Sequence, residues 1–212
     1  ASKVLLAPGR DGATWLDAVF KKHGLDLYNN QVDIGVRVET SNIVMDEINK
    51  NLYEGKFIYN TSVGTRVRTF CSNPSGHVVI ENHEGTMMAN GHAYHDPKLG
   101  SDNTNFALLV SHVFSEPFNQ PNEFAHQVAQ LANKLSNGSI IVQRYGDIQK
   151  GRRTTEKRLK EGYTVPTLPE AVPGDLGLVV PYNTMKSIVE MLEAVDHVTP
   201  GIANEHTLLY GV

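Results

Sequence analysis

Cysteine is almost missing from this sequence: Cys71 is the only thiol in 212 residues, so no internal disulfide can form. A run of about 18 apolar residues, the length a membrane-spanning helix needs, is missing too. So are the Gly-x-Gly-x-x-Gly dinucleotide loop, the Gly-x-Ser-x-Gly nucleophile elbow and the His-Glu-x-x-His metal helix. Positive charge is not in excess either, with 19 basic against 23 acidic residues and a net charge of −4. Without a concentrated positive field, nucleic acid and anionic membrane are not expected partners. The lone thiol and the lack of a signal-peptide pattern favour a reducing, cytoplasmic setting.

What is present reads as a globular domain with 40% apolar residues. Residues 3–7 form a short apolar run predicted as a strand, followed by the turn Pro8-Gly9-Arg10-Asp11-Gly12, in which Asp11 is placed to cap a helix. Trp15, Leu16, Val19 and Phe20 give that helix one apolar face, and Gly24 ends it. Residues 33–39 alternate cleanly and predict a strand. Ser41 is the expected N-cap of a helix to about Lys50, with Ile43, Met45 and Ile48 facing inward.

Residues 66–94 predict a three-stranded antiparallel meander, turning at Asn73-Pro74-Ser75-Gly76 and at Asn82-His83-Glu84-Gly85. Further strands are expected at 56–61, 106–114, 139–144 and 207–212. Long helices are expected from Pro121, with a stripe of Phe124, Val128, Leu131, Ala132 and Leu135, and over residues 182–196. The fold class is α+β, with a mixed, mainly antiparallel sheet and two or three long helices. Apolar strands at both ends of the sequence predict a piece of a larger protein whose sheet continues on to them.

Candidate chemistry gathers at the ends and turns of the meander, where Arg68, Cys71, Asn73, Asn90 and His92 lie. Cys71 is a candidate nucleophile if Arg66 or Arg68 favours its thiolate, against the common fate of a lone cysteine as a small buried hydrophobe. His92, His95 and Asp96 have ligand-like spacing, but the glycine and proline beside them indicate loop and no fourth ligand follows, so no metal is assigned. Arg152-Arg153-Thr154-Thr155 offers two guanidinium forks and two hydroxyls to a phosphate or carboxylate, against the ordinary alternative of a solvated charged face.

Nine stretches in series, among them VLLAPGRDGATWL, VDIGVRVE, VRTFCSNPSGHVVIEN, QRYGDIQKGRRTT, PTLPEAVPGDL and TLLYGV, resemble the uncharacterised bacterial FAD-dependent dehydrogenases. The resemblance covers almost the whole chain. It implies that residues 1–27 are the edge of a Rossmann-type flavin-binding domain and residues 28–212 an inserted cap or substrate domain, with the last strand leading back to the flavin domain. Ala7-Pro8-Gly9 is similar to the Ala-Thr-Gly turn by which related flavoproteins leave the flavin domain, making Ala7 and Gly9 cofactor-side candidates. FAD is the implied cofactor of the intact protein and NAD(P) a second. The implied partners are the rest of the flavin domain, a small-molecule substrate and a second copy of the chain. Arg68, Asn73, Asn90, His92, Arg152 and Arg153 are then the groups expected to meet an anionic substrate or nicotinamide phosphate, with Cys71 and His92 as catalytic candidates.

Overall fold

The computed structural model describes residues 3–9 and 12–211. Its centre is β1 (Val32–Ser41), the alternating segment, which pairs along its whole length with β6 (Asn103–His112) in antiparallel register from Val32 opposite His112 to Ser41 opposite Asn103. On its other side β1 pairs with β9 (Leu208–Gly211). Adding β2 (Ile58–Asn60), β3 (Arg66–Asn73), β7 (Ile141–Arg144) and β8 (Val172–Pro173) gives a seven-stranded sheet in the order β2-β3-β6-β1-β9-β7-β8. Only β7 and β8 run parallel. The expected mixed, mainly antiparallel α+β architecture is therefore observed, with six α-helices around the sheet.

Side chains on alternate strand positions point to opposite faces, so pairing carries the alternation of β1 across the sheet. Ile34, Val36 and Val38 stand opposite Val110, Leu108 and Phe106, and all six are buried. They share the main core with Ile188, Met191, Leu192 and Val195 of α6 (Tyr182–Asp196), the helix read from its 3.6-residue period. Full burial of each such aliphatic side chain contributes about 1.5–3 kcal/mol. α2 (Asn42–Asn51) begins where expected, with the Ser41 hydroxyl accepting from the Ile43 amide. α3 (Pro121–Leu135) starts at Pro121, ends before Asn137 and Gly138, both at positive φ, and packs against β1.

Several expectations fail. The meander is split: β4 (His77–His83) and β5 (Thr86–His92) pair only with each other, while β3 turns away to join β2 and β6. The turn at residues 73–76 forms, but the β1–β6 ladder offers β3 a longer edge than the hairpin does. Residues 3–8 are not a strand and are exposed, and Asp11 lies outside the described residues. The final strand is no open edge, because β9 is held between β1 and β7. Ile43 of α2 and Leu131 and Leu135 of α3 face solvent, whereas Met45, Val128 and Ala132 are buried as expected and Ala129 joins them. α1 (Ala13–Lys22) buries no residue completely.

The β4–β5 hairpin covers the second face of the large sheet. Val78, Ile80, Met87 and Ala89 pack with Val142, Leu208 and Tyr210 in a smaller apolar cluster. At Gly91 the approach is closest, since a Cβ there would fall 1.9 Å from Arg37 Nη2 and 2.2 Å from Asn105 Oδ1. Both atoms are held by hydrogen bonds and cannot swing aside freely. Gly91→Ala is expected to destabilise the fold by about 1–3 kcal/mol through overpacking. Urea unfolding checks this, and an unchanged midpoint would contradict the close contact.

Candidate functional site

Strand alternation places Asp33, Arg37 and Glu39 on the face of β1 opposite the aliphatic core, beside Ser111, Asn105 and Asn103 of β6. This face is polar yet covered. Asp33 accepts from Arg68 Nη2 at 2.7 Å and from Ser111 Oγ at 2.7 Å. Glu39 is fully buried and receives four donors: Asn103 Nδ2 at 3.1 Å, the Thr167 amide at 3.3 Å, the Thr167 hydroxyl and the Tyr210 hydroxyl. Burial, and then the adjacent carboxylate, holds the Tyr210 phenol well above its ordinary value.

Arg37 lies between these two carboxylates and is itself 3% exposed. Its Nε donates to Asn105 Oδ1 at 2.8 Å, and its Nη2 donates to the same oxygen at 2.6 Å and to the Cys71 carbonyl at 2.7 Å. Cys71 sits in a bulge of β3 at φ +51°, an uncommon conformation for a non-glycine residue that directs its carbonyl at the guanidinium. Among the described residues no carboxylate lies within 4 Å of Arg37. Burial lowers its pKa, opposed by the neighbouring Cys71 thiol and by Glu39 two residues away.

Arg37 lines a cleft of about 740 Å³ formed by the sheet face, the hairpin, α3 and the first turn of α1. This is within the size range of small-molecule sites. Gly35, Ala107 and Leu109 extend the floor, Glu81, Met88 and Asn90 come from the hairpin, Ala125, His126 and Ala129 come from α3, and Ala13 and Thr14 come from α1.

The residues singled out in the sequence divide around this cleft. Asn90 lines it and donates to Glu81 Oε2 at 2.7 Å. Arg68 is paired with Asp33 and lies 5.3 Å from the Phe70 ring centroid. Asn73 supports the bulge by donating to the Cys71 carbonyl at 3.0 Å. Cys71 is half-buried beside Arg37 rather than in the cleft lining. His92 is at the far end of β5, edge-on to Tyr94. Ala7 and Gly9 are exposed and away from the cleft lining. Arg37, His126 and Glu39 were not singled out: Arg37 and Glu39 read as the outer half of an alternating strand, and His126 as one polar position on a helix.

The basic cluster lies elsewhere and has an internal counterion. Asp147, in the short helix α4 (Tyr145–Gln149), is 1% exposed. Its carboxylate accepts from Arg152 Nε at 2.7 Å, Thr154 Oγ1 at 2.8 Å and Arg158 Nε at 3.2 Å. Arg153 reaches only the Pro173 carbonyl, at 3.4 Å. Burial by itself would raise the Asp147 pKa, but the bonds from Thr154, Arg152 and Arg158 together outweigh it and hold the group below its ordinary value. A depressed carboxyl contributes stability above its unfolded pKa and loses it as pH falls through the folded one. Asp147→Asn is therefore expected to cost about 2–4 kcal/mol at neutral pH, with the difference from the parent shrinking below about pH 4. Urea unfolding across pH checks both, and a pH-independent difference would contradict the assignment.

No helix among the described residues is long and apolar enough to cross a membrane, and no group of three metal-ligating side chains is found among them. The parallel strands β7 and β8 are joined through the short helices α4 and α5 (Glu156–Lys160), but no Gly-x-Gly-x-x-Gly loop, the element that grips a dinucleotide pyrophosphate, lies between them. That connection therefore lacks the glycine loop of an FAD cradle of that type. No curated protein matches the sequence significantly. Residues 31–212 match the family described as FAD-dependent protein, C-terminal domain-like. That match takes in the whole sheet, the hairpin and five of the six helices, and the chain belongs to this family of FAD-dependent proteins.

Proposed function

We propose that this chain is the cap or substrate domain of an FAD-dependent oxidoreductase, with the flavin held by a separate Rossmann-type domain of the same protein. The observation that carries this reading is the coincidence, within one family-matched domain, of a ligand-sized cleft lined by a buried arginine and the lack of a dinucleotide-binding glycine loop in the sequence. A flavin supplies hydride chemistry when bound, whereas the protein around it orients and encloses the substrate. The cleft suits the second task.

Contact with the flavin domain is assigned to the first part of the chain. Trp15 of α1 and Leu25, Leu27 and Tyr28 after it are exposed, an unusual concentration of large apolar side chains on one short segment. A second reading, pairing of two copies, draws on the same surface and on the exposed Ile58 of edge strand β2. Anion binding through Arg152 and Arg153 has less support, because Arg152 already serves Asp147.

The test is spectroscopic. The 212-residue chain, purified after expression alone, is expected to show no flavin absorbance and no saturable FAD binding, and the longer gene product containing it is expected to carry FAD that bleaches with substrate. Stoichiometric FAD on the chain alone would overturn the proposal. Light scattering that finds only monomer at high concentration removes the second reading.

A further inference from the structure

We propose that Arg144, Lys150, His206 and Tyr163, outside the cleft lining, form a binding site for a nucleoside phosphomonoester, with the phosphate at Lys150 and His206 and the base on Tyr163. The inference goes beyond the substrate-domain reading and does not rest on the cleft.

The first step is charge. Residues 144–161 carry seven lysines and arginines against three aspartates and glutamates, in a chain whose net charge is −4. Asp147 is taken up by Arg152 and Arg158, and Glu161 by Lys157 at 3.9 Å. Arg144 Nη2 and Lys150 Nζ share one acid, Glu205 of the loop before β9, each 3.8 Å from its Oε2. Arg153 and Lys160 pair with no carboxylate among the described residues, and of the segment's acids only Glu156 is in no ion pair there. Cations outnumber carboxylates even with Glu205 counted, and that surplus favours an anionic ligand.

The second step is geometry. Arg144 is 6% exposed and positions a neighbour rather than meeting the ligand itself. Its Nη2 lies 2.9 Å from His206 Nδ1, and a guanidinium only donates, so the imidazole carries its proton on Nε2. That Nε2 faces Glu205 Oε1 at 3.8 Å, too far for a hydrogen bond. Among the described residues neither His206 Nε2 nor Lys150 Nζ donates a hydrogen bond at all. Two donors thus converge on a 54% exposed carboxylate that satisfies neither. A phosphate, with its several acceptor oxygens, can satisfy both once Glu205 turns outward.

The third step is the ligand's body. Tyr163 is 88% exposed, and its ring centroid lies 4.5 Å from that of His206 at an interplanar angle of 69°. Gly162 rests against the same imidazole, where a Cβ would come 3.6 Å from Nδ1. An open aromatic face therefore stands beside the phosphate seat, as stacking of a base requires. The surplus of cations selects a dianionic phosphomonoester over a monoanionic diester. FAD holds only diester-type phosphates, so the expectation that the chain alone leaves it unbound is unaffected.

Calorimetric titration of the 212-residue chain with adenosine 5′-monophosphate, its methyl diester, adenosine and inorganic phosphate tests this. The monophosphate is expected to saturate the chain and to bind at least about tenfold tighter than the diester or adenosine, as charged hydrogen bonds provide. It is also expected to bind more tightly than inorganic phosphate. Lys150→Ala is expected to weaken it at least about fivefold. Lys22→Ala, which removes the same charge from the exposed end of α1, is expected to change nothing. Glu205→Gln is expected to tighten binding by removing the competing carboxylate, and Tyr163→Ala to abolish the advantage over inorganic phosphate. All four side chains are exposed, so the variants are expected to fold.

No saturable binding of the monophosphate, equal binding of the diester or adenosine, Lys150→Ala no weaker than Lys22→Ala, no tightening by Glu205→Gln, or no effect of Tyr163→Ala would each overturn the site. Those failures leave the flavin result of the longer gene product untouched, so the site and the substrate-domain reading fail separately.

Discussion

Glu39 is the junction on which this fold turns. Its buried carboxylate joins four pieces of chain that are far apart in sequence: β1 carries it, Asn103 of β6 and Tyr210 of β9 reach it from the strands on either side, and Thr167 brings in the connector before β8. The Thr167 hydroxyl accepts from the Val78 amide while it donates to Glu39, so the hairpin is tied to the same point. A carboxylate can accept several hydrogen bonds, and four donors give it in the interior what water gives it outside. Apolar packing alone would press the hairpin on the sheet without fixing its register. The polar junction selects one register, because sliding β4 by a residue would leave Thr167 without its donor and reverse the faces of every hairpin side chain.

Fixing the hairpin there also makes the cleft. The apolar cluster of Val78, Ile80, Val142, Leu208 and Tyr210 closes one end of the interface between hairpin and sheet. Toward α3 several facing residues are small, with Gly35, Ala107, Ala125 and Ala129 lining the cleft that remains between the layers. Gly91 then rests directly on the Arg37–Asn105 pair. The same hairpin thus dehydrates the guanidinium of Arg37, which is almost fully buried beneath it. The Cys71 bulge completes the arrangement, because a regular β3 would direct that carbonyl into the ladder with β6 rather than toward Nη2.

Elements whose signals are local were legible in the sequence. Ser41 as cap, Pro121 as first helical residue, the period of Ile188, Leu192 and Val195, and the alternation of residues 33–39 all produced the expected structure. What depended on distant partners was not. Alternation shows that Asp33, Arg37 and Glu39 share a face but not whether water or a second layer covers it, so the site was hidden in a strand that had been read correctly. The meander failed for the same reason: residues 73–76 specify a turn, and a turn does not oblige the strands it joins to pair. Asp147 escaped notice because a single aspartate after a strand carries no signal, yet it decides where Arg152, Thr154 and Arg158 point.

Two kinds of charge centre show how the fold accommodates ions away from water. Asp33 with Arg68, and Asp147 with Arg152 and Arg158, are direct ion pairs near the surface, where one partner of each keeps contact with water and the net field is small. Glu39 and Arg37, nearer the centre, are each solvated by neutral groups instead. Neutral partners satisfy hydrogen bonds without cancelling charge, so both ions keep their fields in a medium that screens weakly. Glu39 has its field enclosed by donors on both oxygens and so acts as a junction. Arg37 has neutral acceptors on Nε and Nη2 and Glu39 two residues along the same strand face, so the two opposite charges act on each other. The arrangement seen here sets two buried ions of opposite sign two residues apart on one strand face, each hydrogen-bonded by neutral groups and each offsetting the other's charge.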